Sequence, residues 1–174
     1  FDDGAVAVRV HPAMVPAAHP LASVRDSFNA VFVEGASVGD LMFYGRGAGG
    51  DPSASAVLGD VIDASLNLVK GTHASIGTLA RSVIRPVDDL TSPFYLNVEV
   101  ADEPGVLAAV AGVFGRHGVS IRSMEQEGLG DDARITFITH RAVESDLRAT
   151  LRELEALDTV RRIGSVLRVV DDER

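Results

Sequence analysis

Leu41-Met42-Phe43-Tyr44-Gly45-Arg46-Gly47-Ala48-Gly49-Gly50-Asp51-Pro52-Ser53-Ala54-Ser55-Ala56-Val57 reads as a strand, a glycine-rich turn and the start of a helix. Four glycines fall within the six residues 45–50. They leave backbone free of side chains where a following helix presents unpaired N–H groups and a positive dipole end. Such a corner suits a phosphate or a carboxylate. Gly45, Gly47 and Gly50 also satisfy G-x-G-x-x-G. A dinucleotide-binding parallel sheet would then need a second strand after the helix, closed by an acidic residue about 20 residues on. Asp63 has the spacing, but it sits inside the helical pattern and no strand follows it. A self-contained parallel α/β fold is therefore disfavoured. Two readings stay open: a tight turn without ligand, or a loop that approaches a ligand held mainly by another part of the protein.

Working outward, Ala30-Val31-Phe32-Val33 is a second strand, and turn residues from Gly35 to Asp40 join it to Leu41–Tyr44 as a hairpin. Asp51 is placed to cap the helix, with Pro52 at its first position. Val57, Leu58, Val61, Ile62, Ser65, Leu68 and Val69 recur at helical spacing and are expected to be its buried face, and Gly71 its stop. Upstream, Ala5 to Val10 alternates like a strand that His11-Pro12 ends. Downstream, Pro86, Asp88, Asp89, Ser92 and Pro93 mark a linker.

From Phe94 the pattern sharpens. Leu96, Val98 and Val100 alternate with polar residues in a half-buried strand. Asp102-Glu103-Pro104-Gly105 turns into a helix whose apolar face is Val106, Leu107, Val110, Val113 and Phe114. Gly118 ends it, and Val119 to Gln126 is extended. Asp131-Asp132 belongs to a hairpin turn before a strand over Arg134–His140. A second amphipathic helix runs from Val143 to Leu157 with Val143, Leu147, Leu151 and Leu154 inward, and a last strand from Val160 to Val170. The order βαββαβ is a ferredoxin-like unit of roughly 80 residues. The fold class is α+β: a partial mixed or antiparallel-sheet domain over 1–85, a linker over 86–93, and the ferredoxin-like domain over 94–174.

Composition narrows the chemistry. The 174 residues are 46% apolar, enough for a packed core, yet no run is long enough to span a membrane. No signal peptide opens the chain, and its start at Phe1 fits a piece of a longer protein. Cysteine is absent, which removes disulfides and thiolate metal sites and agrees with a cytoplasmic origin. A net charge of −9 without a basic cluster argues against nucleic acid. His73, His117 and His140 are isolated, so no metal site is expected. Glu125, Glu127 and the acidic C-terminus read as solvated faces. Lys70, the one lysine, reads as a partner of its helix's C-terminal dipole. No Ser-His-Asp arrangement is present.

Two families resemble these stretches. Asn29-Ala30-Val31-Phe32-Val33-Glu34-Gly35, Tyr44 through Val57, Gly59-Asp60 and His19-Pro20-Leu21-Ala22 are similar to the C-terminal part of the homoserine dehydrogenase catalytic domain, through about residue 70. The resemblance implies oxidation of L-homoserine to aspartate 4-semialdehyde with NADP or NAD, or the reverse. It implies that the glycine loop lies against a cofactor bound by a separate N-terminal nucleotide-binding domain, with Gly49, Gly47 and Ala48 as its neighbours. Ser53 stands where that family usually has Thr. The family's catalytic lysine and acidic substrate residues belong to an upstream segment, so no catalytic residue is assigned here, and this stretch is expected to be inactive and cofactor-free alone. Asp102-Glu103-Pro104-Gly105-Val106-Leu107 and His117-Gly118-Val119-Ser120-Ile121 resemble the ACT domain. That likeness implies an amino-acid effector, L-threonine by analogy with threonine-sensing units, contacted by Asp102, Gly105, Val106, Ser120 and Gln126 at an interface between two ACT units, and hence a homodimer. Asp102 and Pro104 are equally what a helix start wants for capping alone. A non-catalytic amino-acid-binding module serving another partner is the alternative.

Overall fold

A computed structural model describes residues 4–72, 81–128 and 130–170. In chain order the elements are β1 (Ala13–Met14), β2 (Phe28–Gly35), β3 (Gly39–Arg46), α1 (Gly50–Lys70), β4 (Thr91–Ser92), β5 (Phe94–Ala101), α2 (Val106–Arg116), β6 (Ile121–Gly128), β7 (Asp132–Thr139), β8 (Ala142–Val143), α3 (Glu144–Glu155) and β9 (Val160–Val169). They fall into two compact units: the described residues of Phe1–Pro16 with Ser82–Arg174, and those of Ala17–Arg81.

The first unit is built on β5. Its alternation buries Phe94, Leu96, Val98 and Val100 on one side and half-exposes Tyr95, Asn97 and Glu99 on the other. β5 pairs antiparallel with β7 and with β9, and β6 pairs antiparallel with β7. The sheet order is β1-β9-β5-β7-β6. Val110, Val113 and Phe114 of α2 and Leu147 and Leu154 of α3 close over the buried face with Ile135 and Phe137 of β7. The Phe114 and Phe137 rings lie 4.9 Å apart at 41°. Each such side chain contributes about 1.5–3 kcal/mol on burial. The βαββαβ order expected from sequence is thus present as a ferredoxin-like sandwich.

The sheet has a fifth strand that the sequence pattern did not suggest. β1 runs parallel to β9, with Ala13 opposite Arg168 and Met14 opposite Val169, and Met14 O accepts from the Val170 N–H at 2.8 Å. It covers one edge of the sheet and leaves β6 as the other. The strand expected over Ala5–Val10 does not form. Within it Val6 forms an isolated parallel bridge, donating to Val83 O and accepting from the Arg85 N–H, both at 2.9 Å. Val10 is fully exposed at 100%. Alternation alone makes no strand where no sheet edge accepts the backbone. Residues 86–93, read as linker, hold a 3-10 turn over Val87–Asp89 and then β4, which pairs with β8. Leu90 and Ser92 are buried there.

The second unit contains the hairpin and the long helix. β2 and β3 pair in register from Phe28–Arg46 to Gly35–Gly39, so the hairpin read from sequence is present and longer at both ends. Phe28 stacks on Tyr44 at 4.9 Å, and Arg46 lies 4.9 Å over the Phe28 ring. His19 is buried; its Nδ1 accepts from the Leu21 N–H at 3.1 Å, capping a short 3-10 turn, and its ring meets Phe32 at 4.7 Å.

Two expectations for α1 need correction. The helix begins at Gly50 with Gly49 as its cap, so Asp51 is a first-turn acid rather than the cap, and Pro52 stands at the third position. Gly49 can take that place because its φ of 131° is open to glycine. The expected buried face is not buried: no residue of α1 is, and Leu68 and Val69 are 79% and 86% exposed. Val31, Val33, Leu41 and Phe43 of the hairpin are exposed as well. The periodicity is real, but none of the described residues of this unit covers the stripe. The C-terminal stop stands as read, with Gly71 left-handed at φ 61°.

Candidate functional site

In the ferredoxin-like unit the β5–α2 corner and the end of β6 converge. Gly105 caps α2 with φ 91°, in the left-handed region, and no side chain caps the helix. The positive end of its dipole therefore lies at this corner without a capping side chain. The Asp102 N–H donates to Asp131 O at 3.1 Å, tying the corner to the β6–β7 turn. Gln126 Nε2 donates to Asp102 Oδ1 at 3.4 Å. A Cβ added to Gly128 would stand 3.6 Å from Asp102 Oδ2. An anion-favouring helix end, an exposed carboxylate and a primary amide thus share one surface. They match the carboxylate, the ammonium and a side-chain hydroxyl of a small amino acid.

The other two expected contacts stand apart. Val106 turns its side chain into the core at 6% exposed, and its N–H donates to Glu103 O at 3.3 Å. Ser120 precedes β6 at the opposite end from Gln126, about 20 Å along an extended strand. Its carbonyl accepts from the His140 N–H at 2.8 Å. Within one chain the geometry gathers Asp102, Gly105 and Gln126, and leaves Ser120 separate.

In the hairpin–helix unit the glycine loop leaves β3 at Arg46 and enters α1 at Gly50. Gly47, Ala48 and Gly49 are all exposed. At Gly47 the side chain of Asn29 is packed against the backbone, so that an added Cβ would overlap Asn29 Nδ2 and crowd its Cγ at 2.5 Å. Gly49 needs its positive φ to turn into the helix, and a Cβ there would meet Pro52 Cδ at 3.3 Å. α1 has no side-chain cap. The loop is a bare backbone rim at a helix N-terminus, which fits the anionic part of a nicotinamide dinucleotide. Asn29 was invisible as a loop partner in sequence, because it joins the loop through hairpin register, opposite Gly45.

Ion pairs brace the ferredoxin-like unit. Arg168 Nη2 reaches Glu144 Oε1 at 2.6 Å, and Arg148 joins Asp88 at 2.7 Å. Glu153 receives Arg116 Nε at 2.8 Å and lies 2.6 Å from His117 Nε2. The Arg116 hydrogen bond, helped by His117, lowers the Glu153 carboxyl, as Arg162 and then Arg134 lower that of Glu99. Among the described residues no group of three His, Asp or Glu could hold a metal, and no helix is long and apolar enough to cross a membrane. His73 and the acidic C-terminus lie outside the described residues.

The β5–α2–β6–β7–α3–β9 unit with its left-handed Gly105 corner defines an ACT-type domain, and residues 94–159 match the ACT domain model. Residues 3–62 match the homoserine dehydrogenase model. The chain thus combines a region similar to the C-terminal part of the homoserine dehydrogenases with an ACT domain. It is 48% identical over 169 residues to the homoserine dehydrogenase of Corynebacterium glutamicum, covering 97% of this chain and 38% of that protein. Against the homoserine dehydrogenase of Mycobacterium tuberculosis strain H37Rv it is 44% identical over 177 residues, covering 97% and 40%. A crystal structure of a homoserine dehydrogenase from Thiobacillus denitrificans superposes with a TM-score of 0.88 at 31% identity, over 97% of this chain and 40% of that one. The chain spans about two-fifths of the length of the curated relatives it matches.

Proposed function

We propose that this chain is the part of an NAD(P)-dependent homoserine dehydrogenase that completes the cofactor site and senses an amino acid. The observation that carries the reading is the match of 97% of the chain, at 48% identity, to a homoserine dehydrogenase. The bound nicotinamide, as NADP or NAD, supplies hydride transfer between L-homoserine and aspartate 4-semialdehyde. The chain's own contribution is positional. Gly47, Ala48 and Gly49 bring backbone close to the dinucleotide, and Asn29 holds the loop by its contact at Gly47. The exposed stripe of α1 and the apolar hairpin residues face parts of the protein beyond this chain, including a nucleotide-binding domain. The working division is a catalytic-domain portion over 1–85, a linker over 86–93 and the ACT domain over 94–174, in a cytoplasmic enzyme.

The ACT unit binds L-threonine, an end product of the pathway. The α2 N-terminus takes the carboxylate, Asp102 the ammonium and Gln126 the hydroxyl. Ser120 reaches such a site only from a second copy, which supports pairing of two ACT units through β6, the sheet edge that β1 does not cover. Binding shifts the enzyme toward a less active state through different affinity for the two states. The reading is tested with the full-length protein that contains this chain. Reduction of NADP⁺ or NAD⁺ by L-homoserine supports it; no turnover with either cofactor contradicts it. Residues 1–174 alone are expected to give no turnover.

A further inference from the structure

Where the glycine loop leaves the β2–β3 hairpin, three side chains cluster on one face of the ribbon. Phe28 pairs with Arg46 and Ala30 with Tyr44, so Phe28, Tyr44 and Arg46 share that face. The Phe28 and Tyr44 rings lie 4.9 Å apart and within 6° of parallel. The Arg46 guanidinium stands 4.9 Å from the Phe28 ring centre, a cation–π contact. Asn29, which packs on Gly47, occupies the opposite face with Gly45. The loop thus departs with an amide on one side and a cation seated on an aromatic ring on the other.

Arg46 is exposed, and among the described residues no carboxylate pairs with it. A guanidinium over a ring still has N–H donors for oxygen acceptors. Arg25, by contrast, is turned onto the carbonyls of Ala22 and Val24. Lys70 ends α1, about 30 Å along the helix from Gly50. The rim gains from a cation at its side. Asp51 stands in the first turn of α1 and offsets the positive end of its dipole, so the backbone of the loop alone is a weak cradle for two phosphates.

We propose that Arg46, seated on Phe28, binds the pyrophosphate of the nicotinamide dinucleotide at the glycine rim. The proposal rests on the reading of this loop as part of a cofactor site. The guanidinium fork suits phosphate oxygens. Pyrophosphate, rather than a ribose 2′-phosphate, is the group received where a bare backbone turn opens a helix.

The test is titration of the full-length protein that contains this chain with NADPH and with NADH, read by nicotinamide fluorescence. Arg46→Gln should raise the Kd of both cofactors by a similar factor, about tenfold or more, the loss of one charged hydrogen bond. Its kcat at saturating cofactor should change little, because the contact is equal in ground and transition states. Arg46→Met, which keeps packing on Phe28 without the charge, should weaken binding as Arg46→Gln does. Arg46→Lys, which keeps the charge and loses the planar fork, should lie between these and the parent. Arg161→Gln, on a cation that Asp132 pairs in the ferredoxin-like unit, should bind as the parent does. Melting temperatures of the unliganded variants report whether each one folds. An unchanged Kd in the folded Gln and Met forms would overturn the proposal, as would a loss confined to NADPH, which would assign Arg46 to the ribose phosphate. A parent protein that binds neither cofactor would overturn the cofactor-site reading itself, and this proposal with it.

Discussion

Arg168 grips Glu144 with two parallel hydrogen bonds, Nη2 to Oε1 at 2.6 Å and Nε to Oε2 at 3.0 Å. Glu144 opens α3 and is 6% exposed; Arg168 sits on β9, opposite Ala13 of β1 and Phe94 of β5. The pair therefore joins the helix layer to the two strands that flank the last one. Removing either partner leaves a largely buried charge without its bidentate partner; Glu144 then keeps only Arg148, at 3.6 Å. Arg168→Met or Glu144→Ala should cost about 3 kcal/mol in urea unfolding. The double variant Glu144→Ala, Arg168→Met should cost less than the sum of the two single changes.

The glycine loop is held by contact as well as by conformation. Gly47→Ala places a Cβ on the Asn29 amide, so the loop or Asn29 must move. Thermal unfolding should show a loss of about 1–3 kcal/mol, with much of it restored when Asn29→Ala is added. An unchanged melting temperature in the single variant would mean that the contact is not formed in solution.

Acid should loosen the ferredoxin-like unit through Glu99 and Glu153. Both carboxyls lie below their ordinary value of 4.5 in the folded state, Glu99 through Arg162 and Glu153 through Arg116 and His117. A depressed carboxyl stabilises fully above its unfolded value and loses that contribution as pH falls through the folded one. Glu99→Gln and Glu153→Gln should thus be less stable than the parent at neutral pH, and the difference should shrink as pH falls below 4.5 and through the folded-state value. A constant gap across that range would mean that the ion pairs carry no linkage.

Pairing through β6 has a simple probe. Met124 and Glu125 face Phe137 and Thr136 of β7, and neighbouring N–H groups of an edge strand point alternately inward and outward. Of Met124→Pro and Glu125→Pro, one should disrupt the bond to β7 and unfold the edge. The other should keep the fold and sediment as a monomer, where the parent chain is expected to sediment as a dimer.

The sequence made the ferredoxin-like unit legible because its core is local in pattern. Leu96, Val98 and Val100 alternate, and Val110, Val113, Leu147 and Leu154 keep helical spacing, so each element announces its own buried face. It did not reveal β1, since Ala13 and Met14 carry no alternation and gain strand geometry only from the β9 edge. The reverse held at Ala5–Val10, where alternation met no edge. On α1 the apolar stripe was read correctly as a stripe, but burial belongs to whatever covers it. Asp102 and Gln126 could be brought together by family likeness, whereas Asn29 beneath Gly47 and Arg9 near Ser92, 83 positions apart, follow only from tertiary pairing.

The central claim is that the Gly105 corner, with Asp102 and Gln126, is an amino-acid effector site. Calorimetry of this chain with L-threonine, against L-isoleucine and L-serine, addresses it directly. The account predicts saturable heat with L-threonine, tighter than with either comparison, and a raised melting temperature. Gln126→Ala should weaken binding while leaving the unliganded melting temperature near that of the parent, and Gly105→Val, strained at φ 91°, should abolish it. Absence of heat and of any melting shift with all three amino acids would contradict the claim and leave Asp102 and Gly105 with the role of starting α2.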